Sequence, residues 1–134
     1  MKKRSLVTAL AAGAAFTFLG ASSAVASDYD YKITTLGHIF FPGGSIEYTK
    51  YGDKVKVCDT DADGKAAMGR VIRLTGTTVY TLRAGGKGNC TTRDANDGGV
   101  FNLVEGWTYR FSVCLATDSG DEGYCNSEKW VNNG

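Results

Sequence analysis

The sequence predicts an all-β fold: an antiparallel β-sandwich of about 7–8 short strands, with a small closed β-barrel as the alternative. Three observations carry this. Apolar side chains alternate with polar ones instead of recurring every three or four positions. Sixteen of the eighteen glycines, with the single Pro42, lie beyond residue 26, many of them in short turn motifs. Four cysteines, an even number, fall in the part of the chain that carries this alternation.

The clearest strand is Trp107-Thr108-Tyr109-Arg110-Phe111-Ser112-Val113, where every second side chain is large and apolar, giving one buried face and one polar face. Glu105-Gly106 is read as a two-residue turn joining it to a partner strand, Val100 to Val104, with Val104 opposite Trp107 and Val100 opposite Phe111. Further strands are expected at Ile33 to Leu36, His38 to Phe41, Ser45 to Lys50, Lys54 to Asp59, Met68 to Leu74 and Thr77 to Arg83. Between them stand Pro42-Gly43-Gly44, Tyr51-Gly52-Asp53, Asp63-Gly64, Thr75-Gly76 and Ala84-Gly85-Gly86, all turn chemistry. Tyr29, Tyr31, Tyr48, Tyr51, Tyr80, Tyr109, Tyr124, Trp107 and Trp130 supply large packing area for core and rim.

The chain opens with Lys2, Lys3 and Arg4, runs through the apolar stretch Leu6 to Leu19 and reaches Ala24-Val25-Ala26, the three parts of a secretory signal in order. Residues 1–26 are therefore expected to be a signal peptide, and 27–134 a single β-sandwich domain, secreted and extracellular. The apolar stretch is short and diluted by Gly13 and Gly20, and no later apolar run reaches the roughly 18 residues a membrane helix needs. With the three signal cations removed, 12 Lys and Arg face 14 Asp and Glu. Such a balance argues against nucleic acid and against an anionic membrane surface as partners.

In an oxidising compartment Cys58, Cys90, Cys114 and Cys125 are read as two disulfides. The short segment between Cys114 and Cys125, rich in Gly and Asp, folds back readily, which favours Cys114 with Cys125 and leaves Cys58 with Cys90. A zinc site lacks the paired C-x-x-C spacing, and His38 is the only histidine. Asp118-Ser119-Gly120-Asp121-Glu122, inside the Cys114 to Cys125 loop, is read as a solvated hairpin connection.

Little in the sequence carries reaction chemistry. With one histidine, no G-x-S-x-G elbow and no unpaired cysteine, familiar nucleophile and base arrangements have no material, so no enzyme activity is expected. Gly85-Gly86-Lys87-Gly88 is followed by a cysteine where a phosphate-binding loop needs a helix start. The one metal-like pattern is CDTDADGKAAMGR, which sets Asp59, Asp61 and Asp63 at the opening spacing of a calcium loop. Lys65 and Arg70 occupy the seventh and twelfth positions, where a carbonyl and a bidentate Glu belong. The favoured reading is a hairpin tip at Asp63-Gly64, with Val57 opposite Arg70, Asp59 opposite Met68 and an Arg70–Asp59 ion pair; a weak Ca²⁺ site at the three aspartates is the alternative. No other cofactor is expected.

Taken together, the stretches YGDKVKVCDTDADGKAAMG, FNLVEGWTYRFSVC and YCNSEKW resemble small exported proteins of filamentous actinobacteria. The likeness covers about residues 37–130 and rests on Gly52-Asp53, Val55, Val57, Asp59, Asp63-Gly64, Glu105-Gly106, Cys114, Cys125 and Trp130. It implies an all-β, disulfide-containing protein and assigns no catalytic position. In size, export signal and bridge number the chain is also similar to adaptor subunits of secreted antibacterial toxin particles and to small proteinaceous amylase inhibitors. The expected function is non-catalytic recognition of another extracellular protein, with an extracellular Ca²⁺-dependent binding module or a hydrolase inhibitor as alternatives. Tyr29, Tyr31 and Ile33 alternate along an N-terminal strand that either joins its own sheet or adds to a partner's edge.

Overall fold

A computed structural model describes residues 29–37 and 42–134. The expected signal peptide and the expected strand His38 to Phe41 lie outside the described residues. Eight strands run in chain order: β1 (Tyr31–Thr34), β2 (Gly44–Thr49), β3 (Lys54–Asp59), β4 (Ala66–Arg73), β5 (Thr78–Gly85), β6 (Cys90–Arg93), β7 (Thr108–Ala116) and β8 (Glu122–Val131). They form two antiparallel four-stranded sheets, ordered β1-β2-β3-β6 and β5-β4-β7-β8, which face each other without closing into a barrel.

The period-two pattern decides which side chains meet between the sheets. Ile46, Tyr48, Val55 and Val57 project from the first sheet, and Val71, Leu82, Tyr109, Phe111 and Val113 from the second. One side of this core is aromatic: the Tyr48 and Phe111 rings lie 4.5 Å apart, Phe111 and Trp130 4.7 Å, and Tyr31 and Trp130 4.9 Å. The sheets come closest where β4 carries Gly69, since a Cβ built there would lie 2.2 Å from Val57 Cγ2.

Both disulfides bridge neighbouring strands: Cys58–Cys90 ties β3 to β6, and Cys114–Cys125 ties β7 to β8 at a register shift. This is the pairing that the short acidic loop favoured. That loop is a hairpin connection, with Thr117 N–H donating to the Asp121 carbonyl.

Two expectations are corrected. The segment after Asp59 is not a hairpin tip: β3 pairs with β2 and β6, β4 pairs with β5 and β7, and residues 60–65 carry the chain from one sheet to the other. The apolar faces of β3 and β4 bury more when stacked across the sandwich than when set side by side, and a local Asp-Gly signal cannot distinguish the two. Arg70 therefore pairs with Glu122 of β8, Nη1 to Oε2 at 2.7 Å, and not with Asp59. Glu122 holds the guanidinium above its usual pKa, and Arg70 in turn lowers that of the carboxyl.

Secondly, Val100 to Val104 is no strand. Both edges of β7 are taken by β4 and β8, and the chain instead forms 3₁₀ turns at Ala95–Asp97 and Gly99–Phe101. Only the turn survives from that reading, with Trp107 N–H donating to the Val104 carbonyl. The N-terminal strand, read as joining its own sheet or a partner's edge, joins its own sheet. Tyr31 pairs with Tyr48 and Ile33 with Ile46, and both side chains pack against the core. Tyr29 lies beside the ammonium groups of Lys54 and Lys56. Tyr29, Tyr31 and Ile33 all make contacts within the domain and stay partly exposed.

Candidate functional site

The sandwich has two open ends with different chemistry. At one end the three aspartates lie apart in role. Asp59 is buried, its Oδ2 accepting Gly86 N–H at 2.7 Å and its Oδ1 accepting Asp61 N–H at 3.2 Å, so its carboxylate fastens the loop after β5 to the end of β3. Asp61 Oδ1 accepts Ala62 N–H, and Asp63 Oδ1 accepts Lys65 N–H, both local turn bonds. Among the described residues the one group of three acidic or thiol ligand atoms within 4.8 Å of one another is Cys114, Glu122 and Cys125, whose sulfurs are already joined in a disulfide. Asp59 and Asp61 border an open cleft of 410 Å³ whose wall mixes charges, with Lys65, Arg83 and Lys87 beside Asp118.

At the opposite end two turns set apolar side chains in solvent. The β4–β5 turn closes through Gly76 N–H to the Arg73 carbonyl and Arg73 N–H to the Thr77 carbonyl, both 2.8 Å; Gly76 takes φ 94°, open to glycine without strain. It presents Leu74, 54% exposed. The second turn, Val104 to Trp107, presents Trp107 at 48% exposed beside Val104. The Arg73 guanidinium lies 5.6 Å from the Trp107 ring centroid, a cation–π contact. Arg73, Leu74, Thr75, Trp107 and Thr108 line a groove of 390 Å³, and Val131, in register with Thr108 on β8, is exposed as well.

What holds this loop is a buried polar network. Asn132 is fully buried: its Oδ1 accepts the Tyr48 hydroxyl at 2.7 Å, its Nδ2 donates to the Leu103 carbonyl at 3.1 Å, and its backbone N–H donates to the Trp107 carbonyl at 2.8 Å. Burial raises the Tyr48 phenol well above its ordinary pKa, so it stays a donor. Val104 N–H donates to Tyr109 Oη at 2.9 Å. From beneath, Asp53 Oδ2 accepts Leu103 N–H at 2.7 Å. Four of these hydrogen bonds, from Asp53, Tyr109 and Asn132, fix the Leu103–Trp107 segment, with Tyr48 holding Asn132 in turn, and an ordered loop loses little entropy when a partner settles on it.

Asp53 is the costly member. It is 2% exposed, sits at φ 52°, and its Oδ1 has no protein partner; the buried Tyr80 hydroxyl lacks one too. Burial raises the Asp53 carboxyl pKa, against the lowering from the Leu103 N–H and Asn132. A pKa raised on folding means that the proton favours the folded state. The stabilisation from Asp53 is complete below its unfolded value, about 4, and is lost as pH climbs through the raised folded value. Asp53→Asn keeps an acceptor for Leu103 N–H, adds an N–H donor and tolerates the positive φ. It is expected to gain about 1 kcal/mol at neutral pH. Calorimetric melting of both proteins should show the gap closing on acidification; a variant that melts lower at neutral pH contradicts this.

The sequence marks Tyr48, Tyr109 and Trp107 as packing aromatics, Leu74 and Val104 as strand residues and Asp53 and Thr75 as turn residues, and none of them is read there as part of a site. Exposure of Trp107 is set by where the opposing sheet ends, and Asn132 lies far from Trp107 and Asp53 in sequence.

The fold and this end define a class: a disulfide-braced antiparallel β-sandwich with an aromatic groove at one end. No protein-family model matches the chain, and no curated protein does. A solved structure with a similar fold is that of an endonuclease/exonuclease/phosphatase from Beutenbergia cavernae DSM 12333, with a TM-score of 0.51 and 19% identity over 76% of this chain. The match takes in 27% of that protein, so this chain spans about a quarter of its length, and the likeness is one of fold. Among the described residues no helix is long and apolar enough to cross a membrane, and the two disulfides fit an oxidising, extracellular setting.

Proposed function

We propose that the chain is exported by its N-terminal signal and acts as a non-catalytic binding module, recognising another extracellular protein through the Trp107 end. The observation that carries this reading is the exposure of Leu74, Val104, Trp107 and Val131 at one end of the sandwich, with Val104 and Trp107 on a segment that buried Asp53 and Asn132 hold in place. Leaving a tryptophan and three aliphatic side chains in water costs solubility, and a stacked Trp–Arg pair over an apolar groove is the composition of an interface anchor. Under this reading the chain is one of the small exported β proteins that its motifs resemble, and an adaptor subunit of a secreted complex is the setting it suits.

Tagged protein incubated with the producer's culture fluid, followed by mass spectrometry, tests it. Wild type and Lys87→Ser, at the opposite end, should retain the same exported protein. Trp107→Ser should weaken that complex about thirtyfold, the effect of losing a central anchor. Retention by Trp107→Ser together with loss in Lys87→Ser would contradict the reading.

A further inference from the structure

The outer face of the second sheet continues from this groove, and its charge identifies what the partner brings. Tyr109 and Phe111 point into the core, so Arg110 between them points outward. Arg110 is in register with Ile72 of β4 on one side and Lys129 of β8 on the other. Two cations thus stand directly opposite each other on adjacent strands, an arrangement that destabilises a sheet. Among the described residues neither has an ion-pair partner: Lys32 and Lys56 pair with Glu47, Arg70 with Glu122, Arg83 with Asp118 and Arg93 with Asp97.

The nearby carboxylates are committed elsewhere. Glu105 accepts from Asn132 Nδ2 and Gly134 N–H, and Glu128 is paired with Phe111, placing it on the other face of its sheet. Thr108, the next outward residue of β7, lines the groove, so Arg110 and Lys129 stand as a two-cation margin beyond it on the outer face, whereas Arg73, in register with Tyr109, belongs to the inner face and stacks on Trp107.

We infer that the groove and this margin receive an acidic polypeptide segment, with an apolar side chain seated against Trp107 and carboxylates over Arg110 and Lys129. This rests on the binding role proposed above and adds the chemistry of the partner. A local sequence choice that costs stability, a like-charge pair, makes sense where an incoming anion relieves it. The strip is too short for a nucleic-acid or sulfated-glycan track, which needs an extended run of cations, and without the signal 14 Asp and Glu outnumber 12 Lys and Arg. An apolar slot beside so few charges suits alternating acidic and apolar side chains.

The test is fluorescence anisotropy with a short labelled peptide that alternates Glu with Leu and Phe, against the same peptide with Lys in place of Glu, a single-stranded oligonucleotide and dextran sulfate. The acidic peptide is expected to bind at least about tenfold tighter than the basic one at low salt, with the advantage fading as salt rises. Arg110→Glu with Lys129→Glu should invert that preference, whereas Trp107→Ala should weaken both peptides alike. Lys129→Glu alone should raise the melting temperature, because it turns a repulsive cross-strand pair into an attractive one. Equal binding of the two peptides, no binding of the acidic one, preference for the oligonucleotide or dextran sulfate, or a lower melting temperature for Lys129→Glu would overturn the inference. If Trp107→Ser abolishes capture of the culture-fluid partner while the double charge reversal leaves it intact, the acidic partner falls and the binding role stands.

Discussion

Replacing Cys58 and Cys90 together by alanine is expected to lower the unfolding free energy by about 3–4 kcal/mol, the larger of the two disulfide effects. The bridge closes a loop with a sequence separation of 32, against 11 for Cys114–Cys125. Chain entropy released to the unfolded state grows with the logarithm of that length, which puts the shorter loop at about 2.5–3 kcal/mol. Packing widens the gap. β6 has only four residues and one neighbour in its sheet, β3, so without the sulfur link it depends on a single ladder and on Thr91 Oγ1 donating to the Arg83 carbonyl. By contrast, β7 and β8 share a long ladder and a hairpin loop that survive loss of Cys114–Cys125. Thermal melting of the two double variants should show a drop on the order of 15–25 °C for the first and a smaller one for the second. Equal melting temperatures, or the reverse order, would contradict this account.

Gly69→Ala is expected to cost about 3 kcal/mol, a large penalty for one methyl group. Its Cβ would lie 2.2 Å from Val57 Cγ2 and 3.2 Å from Ile46 Cδ1. Both neighbours are fully buried, and a β-branched valine has no alternative rotamer to retreat into. Val57→Ala on its own leaves a void and costs about 2 kcal/mol. Combined, the changes take two methyl groups from position 57 and add one at position 69 in the space they leave, so the double variant should be more stable than the sum of the single losses by at least about 1 kcal/mol. In the hairpin reading, with Val57 opposite Arg70, residues 57 and 69 lie on opposite faces of one sheet and no favourable coupling arises. Urea titrations of the four proteins therefore separate the two topologies; additive losses would contradict the sandwich packing.

The strands that were legible from the sequence are those with one buried and one solvated face. Lys54–Asp59 alternates Lys and Val, and Thr108–Ala116 alternates Tyr, Phe and Val with polar residues, so each carries its own inside and outside in its letters. Two strands were missed for the opposite reason. Cys90–Arg93 is short and polar at the edge of its sheet, and Glu122–Val131 is exposed along most of its length. Edge strands bury little, so the core imposes no period on them. Val100, Leu103 and Val104 misled because they are apolar, yet only Leu103 is buried, drawn in by the Asp53 carboxylate.

At the site, turn chemistry was visible in Thr75-Gly76 and Glu105-Gly106, but what those turns present was not. Whether a tryptophan is covered depends on the opposing sheet, and the link from Asp53 to Leu103 or from Asn132 to Tyr48 joins residues with no local relation in sequence. The like-charge pair of Arg110 and Lys129 became apparent only once β7 and β8 were set in register.

Hydrogen exchange of the chain alone and bound to the protein it captures from culture fluid tests the central claim most directly. Slowed exchange is predicted at Arg73 to Thr75, Val104 to Thr108 and Lys129 to Val131, with the loop from Gly85 to Asn89 unchanged. Protection confined to that loop and to residues 60–65, with the Trp107 end unaffected, would contradict it.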